Sequence, residues 1–161
     1  MRVMHWLFLV SAALFVVGIA FLVASTRPTG DRPAVEAVAT APVASVQQIM
    51  RGITAPAASV VFNSVATIIT PNGTEERAPR TAAEWDAVGD SAAALVESGN
   101  LLMLGERAID KGDWMTMSRA LMDASRVALE AAKAKNVEAL FGSGETINET
   151  CDSCHQRYQR Q

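Results

Sequence analysis

The apolar residues of this chain fall into one unbroken run at the front and four periodic stripes behind it. From residue 6 to 24 nothing is charged, and Arg2 precedes the run. A stretch of that kind predicts a secretory signal with a long apolar core or an uncleaved membrane anchor over residues 1–25. Residues 26–42 read as a linker, because Pro28, Gly30, Pro33 and Pro42 interrupt any helix and no apolar face is sustained. A first amphipathic helix is predicted over residues 43–69. Val46, Ile49, Met50, Ile53, Ala57, Val60, Val61, Ser64 and Val65 recur at the helical period. Pro56 predicts a kink at residues 52–56, since it removes a backbone hydrogen bond and crowds the preceding turn.

Residues 70–80 read as a loop. Asn72-Gly73 suits a hairpin turn, but no alternating strands flank it. Thr81 and Glu84 then form a capping box. The helix it opens presents Trp85, Val88, Ala92, Leu95, Val96, Gly99, Leu102 and Met103 on one face and stops near Gly105. Asp113 is the expected N-cap of a third helix with the stripe Trp114, Met117, Leu121, Ser125, Ala128 and Ala132. Lys133 and Lys135 suit its C-terminal end. Asn136 caps a fourth helix carrying Leu140, Phe141, Ile147, Cys151, Cys154, His155 and Tyr158. Gly142 and Gly144 weaken that helix by about 1 kcal/mol each relative to alanine, and would allow another helix or a flat macrocycle to approach its backbone. The pattern as a whole predicts an all-α fold, an antiparallel four-helix bundle over residues 43–161 behind the N-terminal apolar segment.

Charge narrows the partners. The 161 residues carry a formal net charge of −3, and loss of the first 25 would remove Arg2 and no acidic residue. No basic tract is present, which argues against nucleic acid. Either reading of the N-terminal segment carries the rest of the chain across a membrane. The expected location is therefore the periplasm, with residues 6–24 able to tether the protein to the inner membrane.

The two cysteines of the chain lie in Cys151-Asp152-Ser153-Cys154-His155, the C-x-x-C-H pattern to which a c-type haem is covalently attached. Each sulfur adds to a vinyl group of the porphyrin, and the adjacent imidazole binds the iron. At i, i+3 and i+4 of a helix all three side chains share one face. A structural zinc site wants four ligands, and the only other histidine, His5, lies in the apolar run. A thioredoxin-like pair expects a βαβ context. A disulfide across three helical residues is geometrically awkward. The motif thus implies a single covalent haem c with its iron, attached outside the cytoplasm, in agreement with the N-terminal segment.

With these elements on the page, residues 43–160 resemble the cytochrome c′ family, including its low-spin, methionine-ligated members. The resemblance rests on Cys151-x-x-Cys154-His155-x-x-Tyr158, on the four-helix order and on Gln48-Ile49-Met50; Glu84-Trp85 and Gly99-Asn100-Leu101-Leu102 are similar to a bacterial subgroup. It implies thioether bonds at Cys151 and Cys154, His155 as proximal iron ligand and Met50 at the distal position. In high-spin members that position is apolar and non-coordinating; in low-spin members it is a methionine sulfur. Two residues depart from the pattern. Val46 stands where an arginine often contacts a propionate, and Gln159 where a basic residue often follows the tyrosine. Arg51 and Arg107 are candidate propionate partners, with Arg157 and Arg160 as further compensating cations, and Tyr158 is expected to pack near the haem.

Met50 separates two functions. As a ligand, its soft thioether would favour ferrous iron and fill the sixth position, implying a non-enzymatic electron carrier for redox partner proteins. As a packing residue it would leave an open apolar site for a diatomic gas such as NO or CO. Met103, Met115, Met117 and Met122 read as core fillers, and Trp85 and Trp114 as core. Peroxidase chemistry lacks a distal histidine. Family members often pair through their first two helices, so a homodimer is a further expectation.

Overall fold

In the computed structural model, which describes residues 2–25 and 41–159, the chain divides into two units. The described residues of the first form one helix, α1 (Arg2–Ser25). Its window His5–Leu22 has a mean hydropathy of 2.3 and buries nothing against protein. At 1.5 Å per residue its length is about 36 Å, enough to cross a hydrocarbon core of about 30 Å. Residues 26–40, most of the expected linker, lie outside the described residues.

The second unit is predominantly helical. Ser45 starts it with a capping box: its hydroxyl accepts from Gln48 N at 3.2 Å, and its own N–H donates to Gln48 Oε1 at 2.8 Å. The helix therefore begins at Val46 rather than at residue 43, with α2 (Val46–Ile49) running into a π turn (Met50–Thr54) and then α3 (Ala55–Ser64). In the π turn Ala55 N–H donates to Met50 O, five residues back. Pro56, in the first turn of α3, cannot donate to Gly52 O, and widening the helix here relieves the clash a proline ring makes with that carbonyl. The wider turn resets the apolar face. After Ile49 the next buried residue is Thr54, five on, followed by Ala57, Ala58, Val61 and Val65. Ile53 and Val60, expected inside, are exposed instead.

The helix also ends before residue 69. Val65 turns to an extended conformation, and β1 (Ala66–Thr70) pairs antiparallel with β2 (Gly73–Arg77), so residues 70–80 are largely a hairpin and not a loop. The β-branched run Thr67-Ile68-Ile69-Thr70 favours extended chain. Thr70 Oγ1 closes the turn by accepting from Asn72 N–H at 3.3 Å and donating to Gly73 O at 2.9 Å, and Gly73 takes φ +133°, which a side chain would resist. The hairpin lies on the surface, with every β2 residue exposed. Its weak alternation explains why the hydrophobic pattern concealed it.

Three long helices complete the unit: α4 (Ala82–Leu102), α5 (Asp113–Lys133) and α6 (Val137–Tyr158). Thr81 caps α4 through the expected box with Glu84, and Asn136 caps α6, its Oδ1 accepting from Ala139 N–H at 3.0 Å. The cap of α5 is different. Gly112 occupies the cap position, Asp113 is already helical, and it is Asp110 whose Oδ1 accepts from Gly112 N–H at 2.8 Å and Trp114 N–H at 3.1 Å. Helix α4 packs on α5, α5 on α6, and α3 on both α4 and α6. Ile49, Val61, Leu95, Leu140 and Ile147 are fully buried between them, among many alanines. Trp85 and Trp114 are buried as expected, and Trp114 Nε1 donates to Leu102 O at 2.9 Å, tying the start of α5 to the end of α4.

The close backbone approach occurs at Gly99, where an added Cβ would collide with Met122 Cγ and lie 3.0 Å from Ser118 O. Gly142 has open space around it, and Phe141, expected on the inner face, is 58% exposed. Leu95 and Phe141 therefore make a direct comparison. Leu95→Ala should lower the unfolding free energy in denaturant by about 2–5 kcal/mol, whereas Phe141→Ala should change it by no more than about 0.5 kcal/mol.

Candidate functional site

The four residues singled out by sequence meet at one place. A cavity of about 270 Å³ is lined by Met50, Thr54 and Ala55 from the π turn and the start of α3, by Ala58, Ser59 and Phe62 further along α3, by Leu102, by Met117, Ser118 and Leu121 of α5, and by Thr150, Cys151, Cys154 and His155 of α6. Met50 and the cysteines come from opposite ends of the unit's sequence. Cys151, Cys154 and His155 share the cavity because α6 continues unbroken through all three, as the i, i+3, i+4 spacing requires. Met50 reaches the same cavity because the π turn starts on it. The walls are mostly apolar or small, and the volume lies just below the roughly 300–1,000 Å³ typical of ligand pockets.

Both thiols are free and half-buried. Burial, then the neighbouring Asp152 and Cys154, push the Cys151 thiol up, and burial alone pushes Cys154 up. Both are therefore neutral thiols at neutral pH, the reverse of the depressed values that make a redox-active C-x-x-C pair nucleophilic. Among the described residues no three or more His, Cys, Asp or Glu side chains gather as a metal-holding group. His155 is exposed at the cavity rim, and its outer side faces Asp152, Gln156 and Gln159.

Met117 and Thr54 are among the lining residues that sequence reasoning did not place at the site. Met117 was a core filler by its stripe, yet its half-buried side chain is on the cavity wall. Thr54 became visible only once the π turn had moved the buried face by one residue.

Several candidate partners are used elsewhere. Arg107 is held by its Nε–H to Ala44 O at 2.8 Å and by Nη1–H to Leu101 O at 3.2 Å, stapling the loop before α5 to the chain before α2. Arg51 is exposed and donates to Gln47 Oε1 at 3.4 Å. Neither lines the cavity. Arg157 pairs with Asp113 at 2.7 Å. Arg160 lies outside the described residues. Tyr158 does not line the cavity either; its ring stands edge-on to Trp114 with centroids 5.0 Å apart, its hydroxyl donates to Asp110 Oδ2, and Arg157 lies over its face. These contacts fasten the end of α6 to the start of α5, one turn beyond His155.

The chain matches no family model, no curated protein and no solved structure. The reading of the cavity therefore rests on its own residues.

Asp110 makes the fastening sensitive to acid. The Tyr158 hydroxyl first and the Trp114 N–H second hold its carboxyl below the ordinary value of 3.8; burial opposes them, and the Gly112 N–H and Arg157 add lesser lowering effects. A carboxylate lowered on folding stabilises the fold above its unfolded value, and that contribution disappears as pH falls through the folded one. The stability difference between wild type and Asp110→Asn should therefore be greatest near neutrality and shrink below about pH 3.8. Urea unfolding of both proteins across that range measures it, and a difference that stays constant into acid would contradict the assignment.

Proposed function

We propose that the second unit is an antiparallel four-helix-bundle cytochrome, of the kind the cytochrome c′ resemblance implies, carrying electrons through one covalently attached haem c. The observation that carries this reading is the meeting of Met50 with Cys151, Cys154 and His155 on one apolar cavity. The residues fit such a group. Two neutral free thiols one helical turn apart are available for the thioethers, and small side chains at Ala55, Ala58 and Ser118 leave room for a flat ring. The imidazole of His155 would supply a nitrogen to the iron, and Met50, on a different element, a thioether sulfur. Haem, when bound, supplies a one-electron iron couple.

The chain's own part is to hold, enclose and expose. Cys151 and Cys154 fix the ring to α6, while Leu102, Leu121 and Phe62 exclude water. His155 is exposed and Cys154 half-buried, so this edge lies within reach of a redox partner protein. With both His155 and Met50 holding the iron, no ligand position would remain for substrate, and the reading is of a carrier and not an enzyme. Helix α1, long and apolar enough to cross a bilayer, serves as signal or as anchor and places the cytochrome unit in the periplasm, tethered to the inner membrane where it is retained.

Optical and EPR spectra of the haem-loaded protein, oxidised and reduced, with and without carbon monoxide, test the ligand set. The wild type should be low-spin and resist carbon monoxide. Met50→Ala should become high-spin and bind the gas, while Met117→Ala should remain low-spin. A high-spin wild type that takes up carbon monoxide readily would replace the His/Met carrier with a five-coordinate haem protein for NO or CO.

A further inference from the structure

Thr54 Oγ1 is the buried side-chain polar atom that lacks a hydrogen-bond partner among the described residues. Thr54 is 5% exposed and lines the cavity beside Met50. Three other buried hydroxyls return a hydrogen bond to their own helix: Ser98 to Leu95 O, Ser125 to Leu121 O and Ser143 to Leu140 O. On the cavity wall Ser59 does the same to Ala55 O and Thr150 to Ile147 O. The carbonyl four residues before Thr54, which a helical threonine would ordinarily use, is Met50 O, and in the π turn the hydroxyl makes no hydrogen bond to it. A buried hydroxyl left unpaired is unfavourable, so its partner is to be sought in what occupies the cavity.

We propose that Thr54 is a positioning residue for the iron's distal ligand, its hydroxyl donating to the Met50 sulfur when that sulfur is on the iron. The inference rests on the His/Met reading. Helical Cα–Cβ bonds tilt toward the N-terminus, so Thr54 leans back over the turn that begins at Met50, and a thioether sulfur is a hydrogen-bond acceptor, though a weak one. The positive end of the hydroxyl dipole then faces the iron's ligand. It disfavours ferric iron more than ferrous and raises the reduction potential.

The test uses the haem-loaded protein and its potential. Thr54→Val keeps the shape, removes the unpaired group and should lower the potential. Thr54→Ser, which retains the hydroxyl, should stay near wild type. In a Met50→Ala background, Thr54→Val should cause no further shift. An unchanged potential in Thr54→Val, or a shift that persists without Met50, overturns the role of Thr54. The sulfur-to-iron charge-transfer absorption of the ferric wild type separates this from failure of the underlying reading. If that band is present, only the Thr54 inference falls; if it is absent, the Met50 assignment and the inference fall together.

Discussion

Pro56 has no N–H to give Gly52, and the turn before it opens into a π turn in which Ala55 bonds Met50 across five residues. One backbone hydrogen bond moved by one residue decides which side chains the first packed helix presents. Ile49 and Thr54 are buried where a regular helix would have buried Ile49 and Ile53. Met50 and Thr54 are both left on the cavity wall, facing the helix that carries the cysteines. A regular helix through this stretch would keep the apolar stripe in phase and turn Thr54 away, leaving the cavity without its unpaired hydroxyl.

The rest of the unit holds that arrangement in place. The closely packed alanines and the approach of Gly99 to Met122 bring α4 and α5 together, and the contacts of Tyr158 with Trp114 and Asp110 anchor the end of α6 just beyond His155. The two walls of the proposed haem site thus depend on different devices, a widened helical turn on one side and an aromatic and carboxylate fastening on the other. Mutations in either should disturb the site from outside the cavity.

Local signals in the sequence were read correctly where local hydrogen bonding decides the outcome. The Thr81–Glu84 box and the Asn136 cap start α4 and α6, and the stripes of α4 and α5 are buried almost as their period requires. The Ser45–Gln48 box was equally legible and would have corrected the start of α2. Asp113 lost the capping role to Asp110 because a loop carboxylate three residues upstream reaches the free N–H groups. The hairpin was obscured because a two-stranded sheet lying on the surface needs no clean alternation. The shift from Ile53 to Thr54 was not legible from a 3.6-residue period, since the period itself changes there. The motif at Cys151–Cys154–His155 marked one wall of the site. That Met117 shares it with Met50 is a tertiary fact no spacing reveals.

The central claim is that the cavity beside α6 holds a haem fixed through both cysteines. Its most direct test is the intact mass of the protein made in cells able to attach c-type haem, measured before and after alkylation under denaturing conditions. The account predicts a mass increased by one haem and no alkylation at Cys151 or Cys154. A polypeptide of unmodified mass that takes up two alkyl groups at those cysteines would contradict it.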